Sequence, residues 1–150
     1  MYARILVALD GSEDSDRALR EALKVAQDSH AKLRVVHAVD VVPHGEVGPY
    51  FDQYRQSCLD AGQAVLDRAV ALARDAGASV ETALVETATI HPSSEILEEA
   101  KRWSADLIVL GTRGRSGLTR LLMGSVAEEI VRHAPVPTLL VHGAETHDHA

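Results

Sequence analysis

The stretch Gly111-Thr-Arg113-Gly114-Arg115-Ser-Gly-Leu-Thr-Arg120-Leu-Leu-Met-Gly124-Ser125 concentrates the residue types that hold an anion. It follows an apolar run and leads into a segment of helical period, which is where backbone N–H groups meet a phosphate. Gly111 and Gly114 allow positive φ and close backbone approach, and Gly124 lets a helix start crowd the anion. Ser125 offers a hydroxyl donor to a phosphate oxygen. Arg113, Arg115 and Arg120 make the stretch positive, with no acidic residue between Gly111 and Met123. The bland alternative is a flexible glycine loop with solvated arginines. Neither common phosphate loop is present: GxxxxGK[ST] lacks its Lys, and Gly111 and Gly114 stand too far apart for GxGxxG.

Other reactive residues carry weaker signals. Asp10-Gly11-Ser12 closes the first apolar run, so Asp10 is either a turn-former or, at a strand end opposite Gly111, a ligand-facing carboxylate. His37 lies inside an apolar run and reads as a core histidine. Cys58 has no activating neighbour in sequence and reads as a buried thiol rather than a nucleophile. His142, His147 and His149 could take up a transition metal only opportunistically.

These residues need a scaffold. The chain has 150 residues, enough for one domain that buries roughly 70% of its unfolded surface. A single core then suffices without disulfides, and the lone cysteine excludes an internal disulfide framework. With 15 Lys+Arg against 22 Asp+Glu, the net charge of −7 argues against nucleic acid and anionic membranes. Aromatics at 3% disfavour stacking platforms. Only the short apolar run Ile5 to Leu9 precedes Asp10, so no signal peptide is expected, and no run approaches the ~18 residues of a membrane span. The expectation is a cytoplasmic protein.

Continuous apolar runs at Ile5–Leu9, Leu33–Val39, Asp106–Leu110 and Thr138–Val141 suit parallel strands covered on both faces, while Ser79–Glu86 is more polar and suits an edge. Helical stripes lie between them. Ala18, Leu19, Ala22, Leu23 and Ala26 follow the N-cap Ser12, with Glu13, Asp14 and Asp16 in the first turn. Phe51, Tyr54, Cys58, Ala61, Val65, Ala69, Leu72 and Ala76 run to Gly77 as a stop, after a loop from Asp40 to Tyr50. Pro92 opens a third helix with Ile96, Leu97 and Ala100. The last begins near Ser125, carries Val126, Ala127, Ile130, Val131 and Ala134, and ends at Pro135 and Pro137. The order βαβαβαβαβ predicts an α/β single domain: an open five-stranded parallel sheet with helices on both faces. Ligands in such sheets bind at the strands' carboxyl ends, where Asp10, the turn His37 to Asp40, and Gly111 all fall.

The spacing Gly111-x2-Gly114-x9-Gly124-Ser125 matches the ATP-binding motif G-x2-G-x9-G-[ST] of the universal stress protein family. Arg4-Ile-Leu-Val-Ala-Leu-Asp10-Gly-Ser12, Val36-His37-Ala38-Val39, Asp106-Leu-Ile-Val-Leu-Gly111-Thr112, Gly124-Ser125-Val126-Ala127 and Pro135-Val-Pro-Thr-Leu-Leu-Val141 resemble the same family in order and separation. The likeness covers nearly the whole chain, assigning 1–142 to one domain and 143–150 to a polar, disordered tail. It implies the adenine nucleotide alpha hydrolase-like, Rossmann-like fold, with ATP and Mg²⁺ as ligands. By this resemblance Asp10 approaches the ribose or the metal, Ala8 lies beside the adenine, and the Ala38 backbone reads its edge. Gly111 and Gly114 form the ribose and phosphate loop, Gly124, Ser125 and Val126 the phosphate-binding helix start, with Arg113 and Arg115 as further phosphate contacts. One departure is Ile90, where relatives often have Gly two residues before the proline.

The resemblance further implies a nucleotide-dependent stress-response module that pairs as a homodimer through Thr138–Val141, an apolar edge open to another strand. No general base stands near the phosphate stretch, so at most slow ATP hydrolysis is expected. The same fold tuned to AMP or cyclic AMP, or a slow ATPase or phosphotransferase, is the alternative. Asp10-Gly-Ser-Glu-Asp-Ser15 also faintly resembles the SGGxDS loop of ATP pyrophosphatases but lacks its first Ser and second Gly. A receiver domain is set aside because Val141-His142 stands where its Lys would be.

Overall fold

A computed structural model describes residues 1–41, 48–87, 92–112 and 123–142. The chain runs β1 (Arg4–Leu9), α1 (Glu13–Ser29), β2 (Lys32–Asp40), a short 3₁₀ turn (Gly48–Tyr50), α2 (Phe51–Asp75), β3 (Glu81–Thr87), α3 (Pro92–Trp103), β4 (Leu107–Gly111), α4 (Ser125–His133) and β5 (Thr138–Val141). The five strands form one sheet in the order β3-β2-β1-β4-β5, and every neighbouring pair is parallel. The winding reverses between β1 and β4, so a crevice opens at their carboxyl ends.

Strand alternation sends the two side-chain sets to different helices. Ile5, Val7, Leu9, Leu33, Val35, Leu107 and Val109 pack with Ala18, Leu19 and Ala22 of α1 and Leu66, Ala69 and Ala73 of α2. Leu6, Ala8, Val36, Ile108 and Leu110 pack with Ile96, Ala100 and Trp103 of α3 and Ala127 and Ile130 of α4. Both faces of β1 and β4 are therefore buried, as their unbroken apolar runs require. The polar β3 lies at one edge and β5 at the other.

Two local features set the start of α1. Gly11 has φ +86°, a left-handed conformation that side chains resist. Ser12 then caps the helix, its Oγ accepting the Ser15 N–H at 3.2 Å.

Several expectations are corrected. The buried stripe of α2 is Gly62, Leu66, Ala69 and Ala73, rotated from the one read off the sequence; Phe51, Ala61 and Ala76 are exposed. The reason is Gly62, whose absent side chain lets α2 approach the sheet. A Cβ there would lie 2.5 Å from Val39 Cγ2 and 2.9 Å from Leu84 Cδ1. Cys58 is half-buried, not buried, and shares a hydrogen bond with the Tyr54 phenol one turn earlier, which with burial pushes that phenol's pKa up. The third strand begins at Glu81 rather than Ser79, because Ala76, Gly77 and Ala78 are still closing the end of α2.

At the amino ends of the strands, charged contacts join the elements alongside the apolar ones. Glu99 of α3 is buried and accepts from Arg34 Nη1 at 2.7 Å and Arg102 Nη1 at 2.6 Å. The Arg34 and Arg4 guanidinium groups lie 5.0 and 5.5 Å from the Trp103 ring centre, within cation–π range. Asp106 accepts the Ala3 and Arg4 amides at 2.8 and 2.9 Å.

Candidate functional site

The crevice at the carboxyl ends of β1 and β4 holds a cavity of about 260 Å³. One part of its wall is apolar: Ala8, Ala38 and Leu110 from the sheet, with Pro92 and Ile96 from α3. The other is polar, formed by Asp10, Ser12, Ser15 and Thr112 together with the first turn of α4. A flat apolar body with a polar, charged tail matches both halves.

Each polar group is held by its local backbone. Asp10 Oδ1 accepts the Ser12 N–H at 2.9 Å, an Asx turn that orients the carboxylate beside the crevice. Ser15 Oγ donates to the Ser12 carbonyl at 2.9 Å. Thr112 accepts the Gly124 N–H at 2.6 Å and donates its own N–H to Val141 at 3.2 Å. That residue thus ties the start of α4 to the ends of β4 and β5.

The start of α4 is what an anion would use. Its N-cap is Gly124, with extended backbone (φ −62°, ψ 154°) and no side-chain cap. A helix start leaves its first-turn N–H groups without partners in the helix itself. Among the described residues no side chain caps them, and the helix dipole adds positive potential where Gly124 and Ser125 line the cavity. Ser125 is exposed at this turn, and Val126 and Ala127 continue the lining.

Of the residues singled out from sequence, Ala8, Asp10, Ala38, Gly111, Gly124, Ser125 and Val126 all line this one cavity. Arg113, Gly114, Arg115 and Arg120 lie outside the described residues, as do Ile90 and the tail from 143 to 150. Gly111 does not use the positive φ open to a glycine: among the described glycines only Gly11, Gly48 and Gly77 have it. Gly111 is small for another reason, since a Cβ there would stand 2.8 Å from Asp14 Cβ and 2.9 Å from the Asp14 backbone carbon. Ser15, Thr112, Pro92 and Ile96 were not assigned to a site. Pro92 and Ile96 were legible in part, because a helix opening after an edge strand must start beside the crevice.

His37 lies elsewhere, on the α2 side of the sheet, where a Cβ on Gly62 would meet its Cδ2 at 3.3 Å. Among the described residues no group of three or more His, Cys, Asp and Glu could hold a metal. No described helix is long and apolar enough to cross a membrane.

The model of the family described as "Universal stress protein family" matches residues 1–142. The chain belongs to the universal stress protein family. A universal stress protein of Thermus aquaticus is 38% identical over 141 residues, covering 94% of this chain and 99% of the relative. A solved universal stress protein in complex with cAMP superposes with TM-score 0.72 at 30% identity, covering 95% of this chain and 99% of the other. One from Archaeoglobus fulgidus in complex with dAMP does so with TM-score 0.63 at 27% identity, covering 93% and 98%. This universal stress protein therefore shares its architecture, over 93–95% of its chain, with one solved in complex with cAMP and one in complex with dAMP.

Proposed function

We propose that this universal stress protein binds ATP with magnesium in the crevice between β1 and β4 and works as a nucleotide-dependent sensing module of the stress response. The observation that carries this reading is the α4 start, capped by a glycine and opening onto an apolar slot, with Asp10 beside it. The slot between Ala8, Ala38 and Ile96 would take the adenine. The first-turn N–H groups of α4 and the Ser125 hydroxyl would take phosphate oxygens. Asp10, its Oδ1 fixed by the Ser12 amide, would turn its other oxygen toward the ribose or a nucleotide-borne magnesium. A single carboxylate suits a metal that arrives with the nucleotide and keeps most of its waters.

We read the protein as a binding module rather than an enzyme. Hydrolysis needs a base to orient water. The nearest carboxylates on α4 are turned to solvent, Glu128 pairing with Arg132 at 3.0 Å and Glu129 with His133 at 3.4 Å. Relatives solved with cAMP and dAMP support a second reading in which the bound form is a monophosphate. The homodimer remains part of the proposal, through β5, whose Leu139 is 36% exposed.

Calorimetric titration with Mg-ATP, on protein shown by mass spectrometry to carry no nucleotide, tests the assignment. One ATP per chain at micromolar affinity or better supports it, and displacement by AMP or cyclic AMP measures the preference. No heat from any of the three overturns it. Turnover near ~10 per second would overturn the non-enzymatic reading.

A further inference from the structure

The imidazole of His37 is buried in the sheet, away from the cavity, yet it makes a specific bond to the cavity's wall. Its Nδ1 lies 2.7 Å from the carbonyl oxygen of Leu9. A carbonyl only accepts, so Nδ1 carries the hydrogen and donates it. Leu9 and His37 are the last paired residues of β1 and β2. Beyond them the two strands part, and β1 has already lost its pairing with β4, which ends at Val7 and Val109. The Leu9 carbonyl thus stands where the sheet gives way to the ligand-facing turn.

From this geometry we infer that His37 is a positioning residue for Asp10. The Leu9 carbonyl and the Asp10 N–H belong to one rigid peptide plane. A donor that fixes the carbonyl fixes that plane and the N–Cα axis of Asp10. Only rotation about φ and the side-chain torsions, which the Ser12 N–H bond to Oδ1 restrains, then remains to set where the carboxylate points. The following residue, Gly11, is the most permissive in the turn and does not itself fix the plane before Asp10. Gly62 of α2 completes the arrangement by leaving the space against which the ring lies. The carboxylate is therefore held from two sides: its plane by His37, its Oδ1 by the Ser12 amide.

This inference rests on the nucleotide reading only for its consequence in binding; the positioning has a ligand-free readout. Asparagine places its Nδ2 where the histidine has Nδ1, whereas leucine has the same branching and no donor. Amide hydrogen exchange at Ser12, whose N–H is bonded to Asp10, is measured in the native protein, His37→Leu and His37→Asn. Faster exchange at Ser12 in the leucine variant, beyond any change at sheet amides remote from the turn and restored by asparagine, is the expected result. Equal exchange in all three overturns the inference, as does a leucine variant that loosens every amide of the sheet alike.

With ligand, His37→Leu should weaken adenosine binding about tenfold, the worth of the one hydrogen bond that a misdirected Asp10 no longer makes to the ribose, while inorganic tripolyphosphate, which needs only the α4 start, binds as before. A native protein that binds neither probe defeats the nucleotide reading and leaves the exchange result to decide the positioning. Native binding with no loss of adenosine affinity in the leucine variant defeats the positioning alone.

Discussion

Gly111 at the end of β4 presses against the first turn of α1 so closely that a Cβ would lie 3.0 Å from the Asp14 carbonyl oxygen. The glycine that opens the Gly111-x2-Gly114-x9-Gly124 spacing is thus required first by packing. It lets the amino end of α1 close over the crevice, and the Asp10 turn comes with it.

Gly111→Ala is expected to destabilise the fold by about 1–3 kcal/mol, because the contact is with backbone that no rotamer change relieves. Urea unfolding measures the loss, and calorimetry should show weaker nucleotide binding as well. Unchanged stability would mean that α1 shifts freely and that the glycine serves the ligand only.

Ser125→Ala removes a hydroxyl donor from the α4 start and leaves the helix intact. Binding of Mg-ATP should weaken by roughly 1.5–3 kcal/mol, the worth of a hydrogen bond to a charged group. Affinity equal to that of the native protein would place the phosphates elsewhere.

Gly62→Ala drives a methyl group toward Val39 and Leu84 and should cost about 1–3 kcal/mol of stability. Since Gly62 also leaves room for His37, the variant tests whether α2 helps set the site from behind the sheet. A melting temperature that stays put would show that α2 can move outward without penalty.

Acid should loosen the amino ends of the strands. Burial pushes the Asp106 carboxyl up, but the Ala3 and Arg4 amides that donate to it hold it below the ordinary value. The Arg34 hydrogen bond likewise holds Glu81 down. A lowered folded pKa adds stability that is present above the unfolded value, near ~4, and lost as pH falls through the folded one. The stability gap between the native protein and Asp106→Asn should accordingly be largest near neutrality and close below that range. A gap independent of pH would remove charge from the explanation.

Leu139→Glu places a charge in the exposed β5 edge. If this edge pairs with its copy, light scattering will show the native protein as a dimer and the variant as a monomer, with nucleotide affinity retained. A native monomer at micromolar concentration rules the pairing out.

Much of this arrangement was readable along the chain because its causes are local. Unbroken apolar runs mark strands covered on both faces, Asp10-Gly11-Ser12 marks a turn into a capped helix, and Gly124-Ser125 marks a helix start with no capping side chain. The long glycine spacing added the family, which the match over residues 1–142 bears out. Contacts between distant segments decided the rest. The rotation of α2 follows from Val39 and Leu84, which lie on other strands, and periodicity within one helix cannot register a neighbour. For the same reason Gly111 read as a glycine of the phosphate loop, while its contact with Asp14, which makes it a packing residue, could not be seen. His37, an ordinary core histidine in sequence, gained its role only when β1 came alongside β2 and set the Leu9 carbonyl in its path.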